Sequence, residues 1–315
     1  MTGAAGGVLV GLDVGGTSMA AGLVTPEGRI LTHRRRDTPP PGGGAVEAIL
    51  ALAAETVDDA RARGAPIIGV GAGLPGAVDA AAGAVTGEAH NVPDLGGVAV
   101  ARLLAERVDA PAFVDNDVNA LALGEWLWGA GRGTRSLVLL ALGTGVGGGV
   151  IVEDRLVRGA GGFGGELGHV PVQMDGRACV CGARGCLKAY VAGPDLAAEG
   201  TRRLGRAVTA AEVFALASQG DRDAEGVLDE ALEALAAGLA IVVNGLNPER
   251  LLLAGSIARA FASREAELRA RLARRAYSGA LATTRIAFLE LDKQTTVRGG
   301  AALVRYEMAR RGAAT

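Results

Sequence analysis

Two stretches of this sequence are built alike. Val8–Val24 and Ser136–Val152 each read as an apolar strand, a turn of Gly and Thr, and a returning apolar strand. The turns are Gly15-Gly16-Thr17 and Gly143-Thr144-Gly145. A strand pair closed this way is a hairpin. The same design twice in one chain predicts two related α/β halves. Glycine is the matching outlier in composition: 50 of 315 residues, about twice the usual share of roughly 7%. The glycines are clustered and without period, which excludes collagen and implies tight turns.

Around the hairpins, strands and helices alternate. Arg29–Arg36 predicts a third strand, Pro39–Gly44 a loop and Ala45–Arg63 a helix. Ile67–Gly73 predicts a buried strand ending in Leu74-Pro75-Gly76, and Val98–Val108 a short helix. Ala112–Val114 predicts a strand that runs into Asp115-Asn116-Asp117, with Val118–Trp128 continuing as helix. Beyond residue 190 the chain reads as mainly helical. Leu228, Leu232, Leu235, Leu239, Val242 and Leu246 follow a 4, 3, 4, 3, 4 spacing, a core-facing stripe. Strands at Leu251–Ala254 and Arg285–Leu289 alternate with helices around Ala258–Ala276 and Thr296–Arg310. The expected division is a small N-terminal α/β domain, 1–116, completed by the C-terminal helix 296–315, and a large α/β domain, 117–295, with a metal-binding loop at 166–188.

The net charge of −2 gives no electrostatic case for nucleic acid. Ten aromatic residues are too few for base-stacking platforms. A chain 49% hydrophobic and 21% charged is not disordered. The longest apolar stretch, Leu137–Val152, carries five glycines and falls short of the roughly 20 residues needed to span a bilayer. Met1–Gly7 has no basic region, so no signal peptide is expected. The expectation is a cytoplasmic protein with neither a nucleic-acid nor a membrane partner.

Four constellations carry chemistry. Gly15, Gly16 and Thr17 offer backbone N–H groups and a hydroxyl, which suit a β- or γ-phosphate, and Asp13 just before them suits Mg²⁺ held through water. Gly143, Thr144 and Gly145 form the second such turn. Either turn alone is equally an ordinary hairpin turn; two in matching halves argue for gripping a nucleotide. Neither is a Walker A loop, because no Gly-Lys-Ser/Thr follows. Asp115-Asn116-Asp117 lies at a strand end, where α/β sheets bind ligands. A carboxylate there can take the proton of an attacking sugar hydroxyl. Helix capping accounts for one of these three residues.

His169, Cys179, Cys181 and Cys186 gather all three cysteines within eight residues of one another, with one of only three histidines just upstream. Three thiolates and an imidazole make a closed, structural zinc site. Glu166, three residues before His169, would accept hydrogen bonds from substrate hydroxyls. His33 and His90 read as solvated or satisfied histidines. Lysine is rare: Lys188 and Lys293 stand against thirty arginines.

Together these segments resemble the ROK family (repressors, open reading frames, kinases), and within it the bacterial glucokinase-like sugar kinases. The resemblance rests on Leu12–Thr17, Leu142–Gly147, Asp115–Ala120, Gly165–His169 and Cys179–Cys186. It implies a two-domain actin-like ATPase fold (a duplicated ribonuclease H-like fold) with a small zinc knuckle, MgATP as co-substrate, and a homodimer or homotetramer. It further implies that Asp117 is the general base, that Asn116 and Glu166 bind sugar hydroxyls, and that His169 ligates zinc with one nitrogen and reaches the sugar with the other. Gly76 matches a sugar-contacting turn, and Gly255 falls at an adenosine contact.

Two departures refine the expectation. The first phosphate motif starts at about residue 8, leaving no room for the family's helix-turn-helix module and pointing to a kinase over a repressor. Lys188 stands two residues after the last cysteine, where the family's kinases carry a sugar-binding Glu. Lys188 is expected to point toward the sugar, with an ion pair to Glu166 in reach. The leading expectation is an ATP-dependent kinase making a hexose 6-phosphate. The alternatives are a kinase for another sugar or polyol, and a sugar sensor without turnover.

Overall fold

The computed structural model describes residues 7–86, 89, 91–290 and 293–312. The readings of Met1–Gly7 (save Gly7 itself), of His90 and of the last three residues of 296–315 lie outside them. Packing divides the chain into two compact units.

The first unit comprises Met1–Thr134, Arg155–Gly164 and Leu291–Thr315. Its sheet contains β1 (Val8–Val14), β2 (Ser18–Val24), β3 (Arg34–Asp37), β4 (Ile67–Leu74) and β7 (Ala112–Asn116). A two-stranded pair, β5 (Val78–Asp79) and β6 (Ala84–Val85), lies between β4 and β7 in sequence. The sheet order is β3-β2-β1-β4-β7. β1 and β2 form the expected antiparallel hairpin, while β4 and β7 run parallel to β1. The helices are α1 (Ala45–Ala62), α2 (Val100–Val108) and α3 (Asp117–Trp128). Ile49, Leu52 and Val57 of α1 and Leu104 of α2 join Val10, Leu12 and Val70 in one core. The third strand is shorter than the expected Arg29–Arg36. Leu23 donates its backbone N–H to the Thr32 hydroxyl at 3.1 Å, so the ladder is interrupted and resumes only at Arg34.

The helix Lys293–Gly312 lies directly on this sheet through glycines. An added Cβ would strike the Val297 carbonyl oxygen from Gly11 and the Gly300 carbonyl oxygen from Gly71. The Gly299 and Gly124 backbones meet in the same way, a Cβ on Gly124 lying 3.1 Å from the Gly299 Cα. This seating places α3 in the first unit, past the residue-116 boundary read from the sequence. Part of the glycine excess is thus contact surface between backbones.

The second unit comprises Arg135–Asp154 and Gly165–Glu290. Its hairpin is β8 (Leu137–Leu142) and β9 (Val146–Val152). Strand Arg250–Ala254 runs parallel to β8, and Arg285–Phe288 parallel to that strand. The two sheets therefore repeat one pattern, an antiparallel hairpin extended on one side by two parallel strands. Helices α4 (Lys188–Val191), α5 (Gly193–Leu204), α6 (Ala210–Ser218) and α7 (Arg222–Leu246) follow. The stripe from Leu228 to Val242 is buried. Leu246 is exposed instead, because α7 ends there and Asn247 turns left-handed at φ 42°. The helix expected at Ala258–Ala276 is broken into Ser256–Phe261, a 3₁₀ turn at Ala262–Arg264, and Glu265–Ala273.

Candidate functional site

In the first unit, three parallel strands carry their chemistry at their carboxyl ends. Asp13 on β1 pairs in register with Gly73 on β4, and Gly73 with Asp115 on β7. Gly73 permits close approach: a Cβ there would lie 3.1 Å from the Asp117 Cα. Asn116 is the N-cap of α3, its Oδ1 accepting from the N–H groups of Val118 at 2.9 Å and Asn119 at 3.2 Å. Its Nδ2 donates to the Gly76 carbonyl at 3.0 Å. Gly76 sits at φ +90°, a conformation that favours glycine. Asn116, Asp117 and Gly76 are thus brought together, with Asn116 serving as cap and link at once.

The Val118 N–H also reaches Asp117 Oδ1, at 2.9 Å. Burial, with the Asp13 carboxylate nearby, pushes Asp117 up to about 7. A carboxylate held there is matched to take a proton near neutral pH. Asp115 turns the other way. Its side chain is 1% exposed and accepts from Arg158 Nε at 2.6 Å, Asn119 Nδ2 at 2.9 Å and the Asn116 N–H at 2.8 Å. The sequence reading missed Arg158. Nothing marks one arginine of thirty in a Gly-rich segment when its partner lies 43 residues away.

The Gly-rich turns need one correction each. The Gly15 N–H is spent on the Ser18 carbonyl at 3.0 Å, so it is not available to a phosphate. Gly16 backs onto Asn91, where a Cβ would come within 2.9 Å of the Asn91 Cβ. The Thr17 carbonyl takes the Thr38 N–H at 3.0 Å. In the second unit the Gly143 N–H is likewise spent, on the Gly145 carbonyl at 2.9 Å. The space that a side chain at Gly143 or Gly145 would fill is open to 4 Å, which leaves the Gly143–Gly145 turn unobstructed for a ligand. Gly255, at φ +98°, packs where a Cβ would strike the Leu142 carbonyl oxygen, beside that turn.

The ligand atoms of His169, Cys179, Cys181 and Cys186 all lie within 4.8 Å of one another. Cys179 Sγ is 3.5 Å from His169 Nδ1, and Cys181 Sγ is 3.8 Å from Cys186 Sγ. Backbone bonds shape the knuckle: Cys179 N–H to the Ala183 carbonyl at 2.9 Å, and Gly182 N–H to the Cys179 carbonyl at 3.0 Å. Arg177 anchors it, its guanidinium 4.7 Å from the Tyr190 ring centroid and 2.7 Å from Glu230 on α7. Burial pushes the Cys186 thiol up to about 12, while the Ala183 backbone bond draws Cys181 down to about 7. The free His169 nitrogen, Nε2, faces Glu166 Oε2 at 4.0 Å. Segment Gly165–His169 is laid on β9, since a Cβ on Gly148 would strike the Gly165 carbonyl oxygen.

Lys188 corrects the expectation made for it. Its Nζ pairs with Asp195 at 2.8 Å, not with Glu166. The signal was in the sequence, seven residues on in Gly193-Pro194-Asp195, at the start of a helix. His33 corrects another reading, since its Nε2 is buried without a hydrogen-bond partner.

Duplicated hairpin sheets, paired Gly-rich turns and a carboxylate at a strand end define a class, the actin-like two-domain α/β proteins. Within that class the chain belongs to the ROK family, which matches it over residues 9–307. It is 38% identical over 267 residues to the glucokinase of Thermotoga maritima, covering 80% of this chain and 83% of that one. The ROK hexokinase of Thermus thermophilus superposes with a TM-score of 0.84 at 32% identity, over 97% of this chain and 100% of the other. A ROK family glucokinase from Streptomyces griseus, solved in complex with glucose and AMPPNP, gives 0.76 at 30% identity, over 95% and 99%. Among the described residues, no helix is long and apolar enough to cross a membrane.

Proposed function

We infer that this protein is an ATP-dependent sugar kinase that transfers the γ-phosphoryl group of MgATP to a hexose hydroxyl. The observation that carries the residue assignment is the place of Asp117, the first residue of α3 just past β7 and beside the Asn116 cap, where burial and Asp13 raise it to about 7. As the hydroxyl oxygen attacks phosphorus, Asp117 takes its proton, and the new O–P bond replaces the bond to the departing ADP. Asn116, Gly76, Glu166 and His169 would bind the sugar; Gly16, Thr17, Thr144, Gly145 and Gly255 would bind the nucleotide, and Asp13 would hold Mg²⁺. Most of the acceleration comes from positioning. Glucose 6-phosphate is the simplest product, given the glucokinase relatives.

The knuckle suits a structural zinc. Two thiolates on a tetrahedral zinc stand about 3.8 Å apart, from Zn–S bonds of about 2.3 Å, and Cys181 and Cys186 already do so. His169, Cys179, Cys181 and Cys186 would hold the ion. It would supply charge to keep three neighbouring thiolates ionised and would pin Glu166 through His169. A homodimer or homotetramer and a cytoplasmic location belong to the same reading.

Lys188 favours a second reading, a kinase for a sugar other than glucose or a sensor without turnover, because it stands where an acceptor for sugar hydroxyls is expected, and its ammonium, which can only donate, is taken up by Asp195. An ADP-release assay across hexoses, amino sugars, acidic sugars and polyols separates these. ATP-dependent phosphorylation of a hexose is expected. Sugar binding without ADP release across the whole panel would sink the kinase.

A further inference from the structure

We propose that Arg158 is a positioning residue for the Asp117 turn, acting through the buried Asp115. The proposal rests on the kinase reading and adds a residue to it. Asp115 and Asp117 flank Asn116, whose cap geometry decides where α3 begins and so where the Asp117 carboxylate points. Asp115 settles that geometry from below, because one of its oxygens accepts both the Asn116 N–H at 2.8 Å and Asn119 Nδ2 at 2.9 Å. Its other oxygen has Arg158 Nε at 2.6 Å.

Arg158 is itself held. Its Nη2 donates to Glu307 Oε1 at 2.6 Å, and its side chain is 18% exposed. Glu307 belongs to the helix Lys293–Gly312. The guanidinium therefore bridges two carboxylates with separate nitrogens, a geometry that an ammonium point charge cannot reproduce. The Tyr306 ring lies 5.7 Å from it and closes one side. A cavity of about 660 Å³ opens beside it between Asp79 and Phe113, and neither Asn116 nor Asp117 lines that cavity. The Arg158 side chain thus meets the turn through Asp115. Without it, a charged carboxylate would be buried one residue from the N-cap, and the turn would relax to find another partner.

The test compares R158Q, R158K, the double variant D115N/R158Q and the control D117N, by sugar-dependent ADP release and thermal melting. In R158Q, kcat should fall about 10- to 100-fold, as expected when a reacting group shifts by up to about 1 Å, while the KM for ATP stays within about twofold. R158K keeps the charge and should recover the melting temperature better than kcat. D115N/R158Q leaves no unpaired charge at Asp115, and Glu307 keeps Arg310 at 3.8 Å, so it should melt closer to wild type than R158Q yet keep at least about a tenfold kcat deficit, since the link from Asp115 to Glu307 is gone. The double variant keeps the test decisive if R158Q does not fold. If the double variant turns over like wild type, Arg158 only neutralises charge and the proposal falls. Wild-type kcat in a folded R158Q, with D117N inactive, overturns Arg158 alone. A wild-type protein without turnover on any sugar overturns the kinase reading, and this proposal with it.

Discussion

Lys188 and Asp195 form an ion pair at 2.8 Å, with side chains only 16% and 24% exposed. Asp195 stands in the first turn of α5, where a carboxylate also suits the helix dipole. The lysine is neither snorkelling into solvent nor tied to Glu166. It is spent on its neighbour.

That pairing changes how Lys188 is to be tested. K188E alone would set two carboxylates where an ion pair now stands, so K188E/D195N is the informative variant. Restoring an acceptor for sugar hydroxyls is worth roughly 1.5–3 kcal/mol, or at least about tenfold in glucose kcat/KM. K188E/D195N should show that gain, and K188E less of it with a lower melting temperature. Efficient glucose turnover by wild type, lowered in the double variant, would refute the role given to Lys188.

D117N keeps the shape of the side chain and removes the proton acceptor. Turnover should drop by about 10²–10⁴-fold, while sugar affinity, measured by calorimetry, stays close to wild type. A variant with near-normal kcat would show that another group takes the proton.

The pH dependence has opposite signs for activity and stability. Asp117 keeps its proton up to about 7, so kcat/KM should fall about tenfold per unit as pH drops below that value. The folded state then holds a proton that the unfolded carboxyl, at 3.8, has released. Stability therefore declines as pH rises from 3.8 to about 7. D117N removes this burden and should stabilise the protein by roughly 1–3 kcal/mol at pH 8 and by little at pH 4, read from denaturant melts at both.

Metal analysis of protein purified without chelator should find one zinc per chain. C181A should lose it, melt earlier and bind sugar more weakly, because the ion would order the loop that carries Glu166. Fully active protein free of zinc would refute the site.

The hairpins, the Gly/Thr turns and the cysteine knuckle were legible in the sequence because each is a local pattern of residue type and spacing. The junction at Asp115–Asp117, where a strand runs into a helix, was legible for the same reason. What was not legible depends on contacts between distant segments. Arg158 finds Asp115 only because the chain returns beside β7, and the loss of the Gly15 N–H depends on how Ser18 folds back. The shortening of the third strand turned on one threonine hydroxyl competing for a ladder donor.

Gly300→Ala is the sharpest test of the backbone-to-backbone seat on the first sheet. Alanine gains up to about 1 kcal/mol in helix propensity. Its Cβ would lie 2.5 Å from the Leu12 backbone nitrogen, and such overpacking costs about 1–3 kcal/mol or more. Net destabilisation is expected, visible as a lowered denaturant midpoint. An unchanged midpoint would mean that the helix can lift off the sheet without penalty.

That same seat sets an order of events for the nascent chain. β1 leaves the ribosome early, whereas its glycine-lined cover is translated only after the whole second unit has been made. Throughout synthesis the Gly11–Gly71 face of the sheet waits with no helix on it, and domains otherwise tend to fold as they emerge. The second unit, drawn from the middle of the chain, can complete itself first. The first is finished by one of the longest-range contacts in the molecule, and such contacts are the slowest to form. Asp13 and Asp117 are carried by the half that finishes last, so these two carboxylates are set in their final places only as the helix Lys293–Gly312 docks.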